Sequence, residues 1–249
     1  MKRLLLLLVI LILTSTVTFA MTFPQIVVGG GTECVILITN KSDSIWSANF
    51  LVRQGNQNQW SGPLWVSGLD ISGLDGFRLE LQPFASVKLR LVGGSQLNSG
   101  YIEADTDMGS SNLGVAVSFF YNFYNATGHL TDSVSIPASV FSDIEYLFPV
   151  ERSAAVDTGF AWCPGLLKGP WDVVLTLYRE DGTVFQTKTV TFSGHEAQFF
   201  AQLFEGVPAD FLGMMRIESE GFIHVAVLRI EYTDSGFQYA GAAADNFIP

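Results

Sequence analysis

The chain has 249 residues, of which 48% are hydrophobic, 13% aromatic and only 15% charged. Ordinary soluble domains carry about 25% charged residues, and disorder needs low hydrophobicity with high charge, so this composition excludes a disordered chain. Two cysteines exclude a disulfide-built mini-scaffold, and 13 basic against 24 acidic residues, a net charge of −11, argue against nucleic acid as a partner.

Residues 1–20 read as an export signal. Lys2-Arg3 gives a short basic start, and an unbroken apolar run extends from Leu4 to Leu13. Thr18 and Ala20 suit the −3 and −1 positions of a cleavage site, giving a mature chain from Met21. The apolar stretch is short for a bilayer span, which needs roughly 20 residues; a retained anchor is the alternative. Cleavage leaves 11 basic against 24 acidic residues, a net charge of −13. Nothing at the cleavage point marks a lipoprotein, so the expected location is periplasmic or extracellular.

The rest of the sequence reads as short strands rich in β-branched and aromatic residues, separated by turn formers. They are expected over 32–39, 45–53, 77–81, 86–92, 100–106 and 114–123, then over 144–150, 158–163, 172–179, 183–192, 214–220, 222–232 and 237–242. Asp181-Gly182 between two such runs is a hairpin signal. One stretch, 195–204, places Ala197, Phe200, Ala201 and Phe204 on one helical face, with Ser193 as its cap. Strands of this length and spacing predict an all-β chain of sandwich type.

The two halves resemble each other. Phe23-Pro24 recurs as Phe148-Pro149, and Gly100-Tyr-Ile-Glu-Ala-Asp105-Thr-Asp107 aligns without a gap to Gly213-Met-Met-Arg-Ile-Glu218-Ser-Glu220. Val115-Ala-Val117 matches Val225-Ala-Val227, and Pro83 to Ser86 takes the place of Phe192 to His195. Matches in the same order predict duplication: a signal peptide over 1–20, a first sandwich over 21–140 with an insertion at 54–76, and a second over 141–249. The boundary is expected near 137–143.

These motifs carry a resemblance. The Phe23-Pro-Gln-Ile-Val-Val-Gly-Gly-Gly-Thr32 start, Phe148-Pro-Val with Asp157-Thr-Gly-Phe-Ala161, Asp181-Gly-Thr183 and Gln198-Phe with Leu203-Phe204 are similar to those of secreted bacterial proteins with tandem immunoglobulin-like β-sandwiches. The resemblance implies that fold for the whole mature chain and brings no catalytic residues with it. The chain departs from the pattern at Trp162-Cys163-Pro164, where an Asn-Pro turn is usual, and in the insertion.

No catalytic signature stands out. His129, His195 and His224 have no local partner pattern, and Ser193, His195 and Glu196 are sequence neighbours, which rarely form a triad. Glu103, Asp105 and Asp107 alternate along an expected strand and so project from one face. With Asn112 they offer oxygen ligands to calcium, the one cofactor the sequence suggests; the simpler reading is a solvated outer face with Ile102 and Ala104 inside. Cys34 and Cys163 read as separately buried thiols. The insertion sets Trp60 and Trp65 beside Asn58 and Gln59, a composition suited to stacking on sugar rings. Folding back as a lid over the sandwich edge is the simpler alternative.

The sequence therefore points to a non-catalytic exported protein acting as an extracellular or cell-surface structural or adhesion module. Its expected partner is a protein or glycan at the cell surface. A carbohydrate-binding module using the Trp60/Trp65 loop is the alternative.

Overall fold

The computed structural model describes residues 21–55, 58–106, 114–136, 142–165, 169–233, 236–242 and 245–246. The expected signal peptide, Asp107, Asn112 and residues 137–141 of the expected boundary lie outside these described residues.

The chain is all-β with antiparallel pairing throughout. The first set comprises β1 (Met21–Val28), β2 (Thr32–Asn40), β3 (Trp46–Gln54), β4 (Asn58–Gln59), β5 (Leu64–Val66) and β6 (Leu69–Asp70). It continues with β7 (Gly76–Leu81), β8 (Ser86–Gly93), β9 (Asn98–Thr106), β10 (Val115–Tyr124) and β11 (Leu130–Ile136). The second set comprises β12 (Asp143–Glu151), β13 (Val156–Pro164), β14 (Trp171–Arg179), β15 (Val184–Phe192) and β16 (Glu196–Phe199). After the helical turn α1 (Phe200–Leu203) come β17 (Leu212–Thr233), β18 (Gly236–Ala242) and β19 (Asp245–Asn246). Among the described residues no helix is long and apolar enough to cross a membrane.

Pairing repeats in the same order. In the first set β1-β9-β3-β7 form one sheet and β11-β10-β2-β8 the body of another. In the second set β12-β17-β14-β15 and β18-β17-β13-β16 follow the same sequence of neighbours. The register agrees as well: Phe23 lies opposite Ile102, two residues after Gly100, and Phe148 opposite Met215, two residues after Gly213. The expected strands 214–220 and 222–232 are one strand, β17, that serves both sheets. Its ladder with β12 skips between Glu218 and Ile223, where the strand passes from one sheet to the other.

Alternation buries the inner faces. Phe23, Phe50, Ile102 and Ala104 from one sheet meet Ile36, Leu91, Phe119 and Tyr121 from the other, with the Phe23 and Phe119 rings 5.6 Å apart. A second cluster gathers Phe148, Phe160, Trp162, Leu175, Phe192, Met215 and Val227. Gly100 and Gly213 sit in matching crevices. A Cβ at Gly100 would lie 2.0 Å from the Arg53 carbonyl oxygen and 2.9 Å from the Trp60 ring; at Gly213 the same distances separate it from the Tyr178 oxygen and the Phe211 ring.

Three expectations change. The helix expected over 195–204 shrinks to four residues, because Glu196–Phe199 pairs with Gly159–Trp162 of β13 and edge pairing outweighs local helical periodicity. Its N-terminal residue is held by Gln202, whose Oε1 accepts the Phe199 N–H at 2.9 Å, not by Ser193. The insertion at 54–76, read from the sequence as a loop without strands, carries three short strands, β4 to β6, and extends both sheets. Ser86 lies opposite Thr39 as Ala197 lies opposite Ala161, so the sequence match of Ser86 to His195 is displaced by two residues.

Candidate functional site

Four places bear on function: the insertion, the acidic strand, the junction between the strand sets, and an open groove on the second set. In the insertion the two tryptophans part company. Trp60 is 1% exposed and packs in the first core over Gly100. Trp65 is half-buried on the outer face of β5, opposite Asp70 and Val92. Gln59 is exposed and its amide donates to the Gly73 carbonyl, while Asn58 lies in β4 beside Gln54. A joint stacking platform of Trp60 and Trp65 is therefore not what the chain builds; Trp60 is a core residue, leaving Trp65 alone at the surface.

The row from Trp65 runs across the sheet through Val92 to Glu33 and Asn122. Glu33 is 4% exposed and fully engaged. Arg90 Nη2 donates to it at 2.6 Å, Asn122 Nδ2 at 2.9 Å and the Tyr124 hydroxyl at 2.7 Å. Burial alone would push its carboxyl up, but those three donors together hold it below the usual carboxylate range. This network ties β2, β8 and β10 together and leaves no acid or base free for chemistry.

On the acidic strand, Glu103 is half-buried and Asp105 exposed on the outer face of β9. The matching positions in the second set are Arg216 and Glu218, and these pair with each other at 3.0 Å while Arg216 also pairs with Glu145 at 2.6 Å. The carboxylate array is thus not repeated as a ligand set. Among the described residues no group of three His, Cys, Asp or Glu side chains is placed to hold a metal.

The junction uses the outer face of β1, β9 and β3. Tyr101 is fully buried there, its ring stacked on His195 of the second set at 5.9 Å and 19°. The His195 N–H donates to the Gly55 carbonyl at 2.8 Å. The covering surface is the outer face of β13 and β17, built from the small residues Gly159, Ala161, Cys163 and Ala226 with His224. Ala226 and Leu228 join the first core cluster. Among the described residues Arg53 Nε, Trp60 Nε1, Tyr101 Oη and His195 Nε2 are buried without a hydrogen bond. Burial lowers the His195 pKa to about 4 and pushes the Tyr101 phenol up.

Both cysteines are free and buried. Cys34 faces its own core, bonded through Sγ to the Val27 carbonyl at 3.1 Å, whereas Cys163 faces the junction. Desolvation raises both thiol pKa values, so neither is a ready nucleophile.

Beside the junction lies a cleft of about 980 Å³, lined by aromatics and amides that include Phe123, Tyr124, Phe199, Gln25, Gln198 and Gln202. Asp, Glu, Lys, Arg and His are absent from its described lining. On the far side of the second set is a groove of about 590 Å³ over the outer face of β12, β17 and β14. Leu147, Pro149, Tyr178, Leu212 and Met214 floor it; Glu145, Arg179, Glu180 and Arg216 stand at its rim. By register, Met214 is the counterpart of Tyr101, Leu147 of Thr22 and Tyr178 of Arg53. Nothing expected from the sequence pointed to this groove. Its signal was the pair Leu212 and Met214 at outward positions of a strand, where the first copy has Ser99 and Tyr101.

Compared with known proteins, the chain matches no family model, no curated protein and no solved structure.

Proposed function

We propose that this chain is a non-catalytic, exported module of two tandem immunoglobulin-like sandwiches that serves a structural or adhesive role at the cell surface. One observation carries the reading: the second strand set leaves an apolar sheet face open whose counterpart in the first set is sealed by protein. Leu147 and Met214 are half-buried there, whereas Thr22 and Tyr101 at the matching positions are 2% and 0% exposed. A concave apolar face with a charged rim is the anatomy of a protein-docking surface. The buried histidines, the raised thiols and the fully bonded Glu33 supply no competing catalytic constellation.

The test follows the chain in producing cells. It should reach the exterior and resist washing, and Met214→Glu should release it. Retention inside the cell, or equal release with and without the substitution, overturns the reading.

The glycan-binding alternative moves from the Trp60/Trp65 loop to the junction cleft, because aromatics and amides without charge suit a neutral polyhydroxyl ligand. Titration with neutral oligosaccharides should give binding that Phe123→Ala weakens; binding unaffected by that change, or none, sets this alternative aside.

A further inference from the structure

We propose that the open groove of the second strand set docks a second copy of this chain, head to tail, on the outer face of that copy's β8-β2-β10 sheet. The proposal rests on the reading of the groove as a protein-docking face and names its occupant.

The chain already contains one junction of this kind. Each strand set has two outer faces, one over its β9-type strand and one over its β2-type strand. Inside the chain, the first set's β9 face meets the second set's β13 face, the counterpart of β2. That consumes one face of each type and leaves one of each type over. The remaining β9-type face is the groove. The remaining β2-type face belongs to the first set, where Thr39 and Ala116 pair as Ala161 and Ala226 do in the junction, and Leu37 and Ser118 as Gly159 and Leu228 do. On this face Leu37 is 39% exposed.

Lys88 and Arg90 are exposed on the same face, opposite Leu37 and Val35. The groove's rim carries Glu145 and Glu180 together with Arg179 and Arg216, Glu145 being paired with Arg216 as Arg90 is with Glu33, so the match rests on the geometry of the faces and not on charge. The two faces differ, so the contact is heterologous and each added copy exposes a fresh groove, which gives an open-ended assembly instead of a closed dimer. Over residues 21–249 the 11 basic and 24 acidic residues give each copy a net charge of −13, which repels copies at long range, so association strengthens as salt screens it.

Sedimentation of residues 21–249 over a wide concentration range, at low and moderate salt, tests this. The expected result is concentration-dependent growth beyond dimer, favoured by salt. Met214→Glu in the groove and Leu37→Glu on the opposite face should each weaken association about tenfold or more. Mixed together, the two variants should stop at dimers, since each keeps one competent face. Leu212→Lys at a more exposed groove position repeats the first arm, and circular dichroism confirms folding of every variant. A chain that stays monomeric throughout overturns the proposal, and one that is monomeric yet retained on cells in a groove-dependent way keeps the docking reading with a different partner. Loss with Met214→Glu but not with Leu37→Glu means groove-to-groove pairing and also overturns it.

Discussion

Tyr101 and Met214 occupy the same position of the repeat, each one residue past a glycine pressed against a neighbouring carbonyl, yet Tyr101 is sealed beneath His195 and Met214 lies in an open groove. The repeated pairing order gives two matching sheet faces, and among the described residues only one of them is covered. The physical consequences are specific enough to measure.

The glycines come first. With a carbonyl oxygen 2.0 Å from the site of an added Cβ, Gly100→Ala and Gly213→Ala force backbone movement and should each cost about 2–3 kcal/mol. At Gly159 the nearest atoms lie 3.7 Å away, so Gly159→Ala should be neutral or mildly stabilising. Urea denaturation of the three variants distinguishes them, and equal costs at all three would refute the crevice argument.

The tryptophans of the insertion should separate in the same assay. Trp60→Ala empties a fully buried site and should cost about 3–5 kcal/mol. Trp65→Ala, on a half-buried surface position, should cost about 1 kcal/mol or less. Similar costs for both would mean that the insertion is organised differently.

Much of this architecture was legible in the sequence because strand signals are local. Every strand expected from β-branched and aromatic runs has a counterpart, and the motifs at Phe23, Gly100 and Val115 anticipated the repeated pairing order. What failed depended on partners distant in sequence. The stretch 195–204 has helical periodicity, and only the open edge of β13 makes Glu196–Phe199 a strand. That Trp60 folds back was legible as one reading of the insertion, but not that Gly100 provides its seat. Glu33 carries no sequence mark of the three donors that converge on it, and Tyr101 and His195 are brought together only by the packing of one strand set on the other.

His195 makes stability depend on pH. Its folded-state pKa of about 4 lies below the ordinary 6.5, so the unfolded chain binds the extra proton first as pH falls. Stability contributed by the neutral ring is complete above pH 6.5 and drains away between there and about pH 4, by about 3 kcal/mol at most. His195→Phe keeps a ring against Tyr101 and removes the titration. The difference in unfolding free energy between the two proteins should therefore shift with pH across that window; a constant difference would contradict the burial of this group.

Glu33→Ala strips three donors of their common acceptor. Asn122 and Tyr124 lose a buried partner, while Arg90, whose side chain is 53% exposed, recovers water. The expected cost is about 2 kcal/mol. Adding Arg90→Ala should cost little more, because the charge pair is already broken; fully additive costs in this double-mutant cycle would show that the network is not coupled.

The most direct measurement of the central claim is thiol labelling at the two equivalent positions, since both native cysteines are buried. Single substitutions Tyr101→Cys and Met214→Cys would be treated with a maleimide at low and high protein concentration. The account predicts that Met214→Cys reacts quickly when dilute and slows as concentration rises, while Tyr101→Cys reacts slowly throughout. Equal reactivity at the two positions, unchanged by concentration, would contradict it.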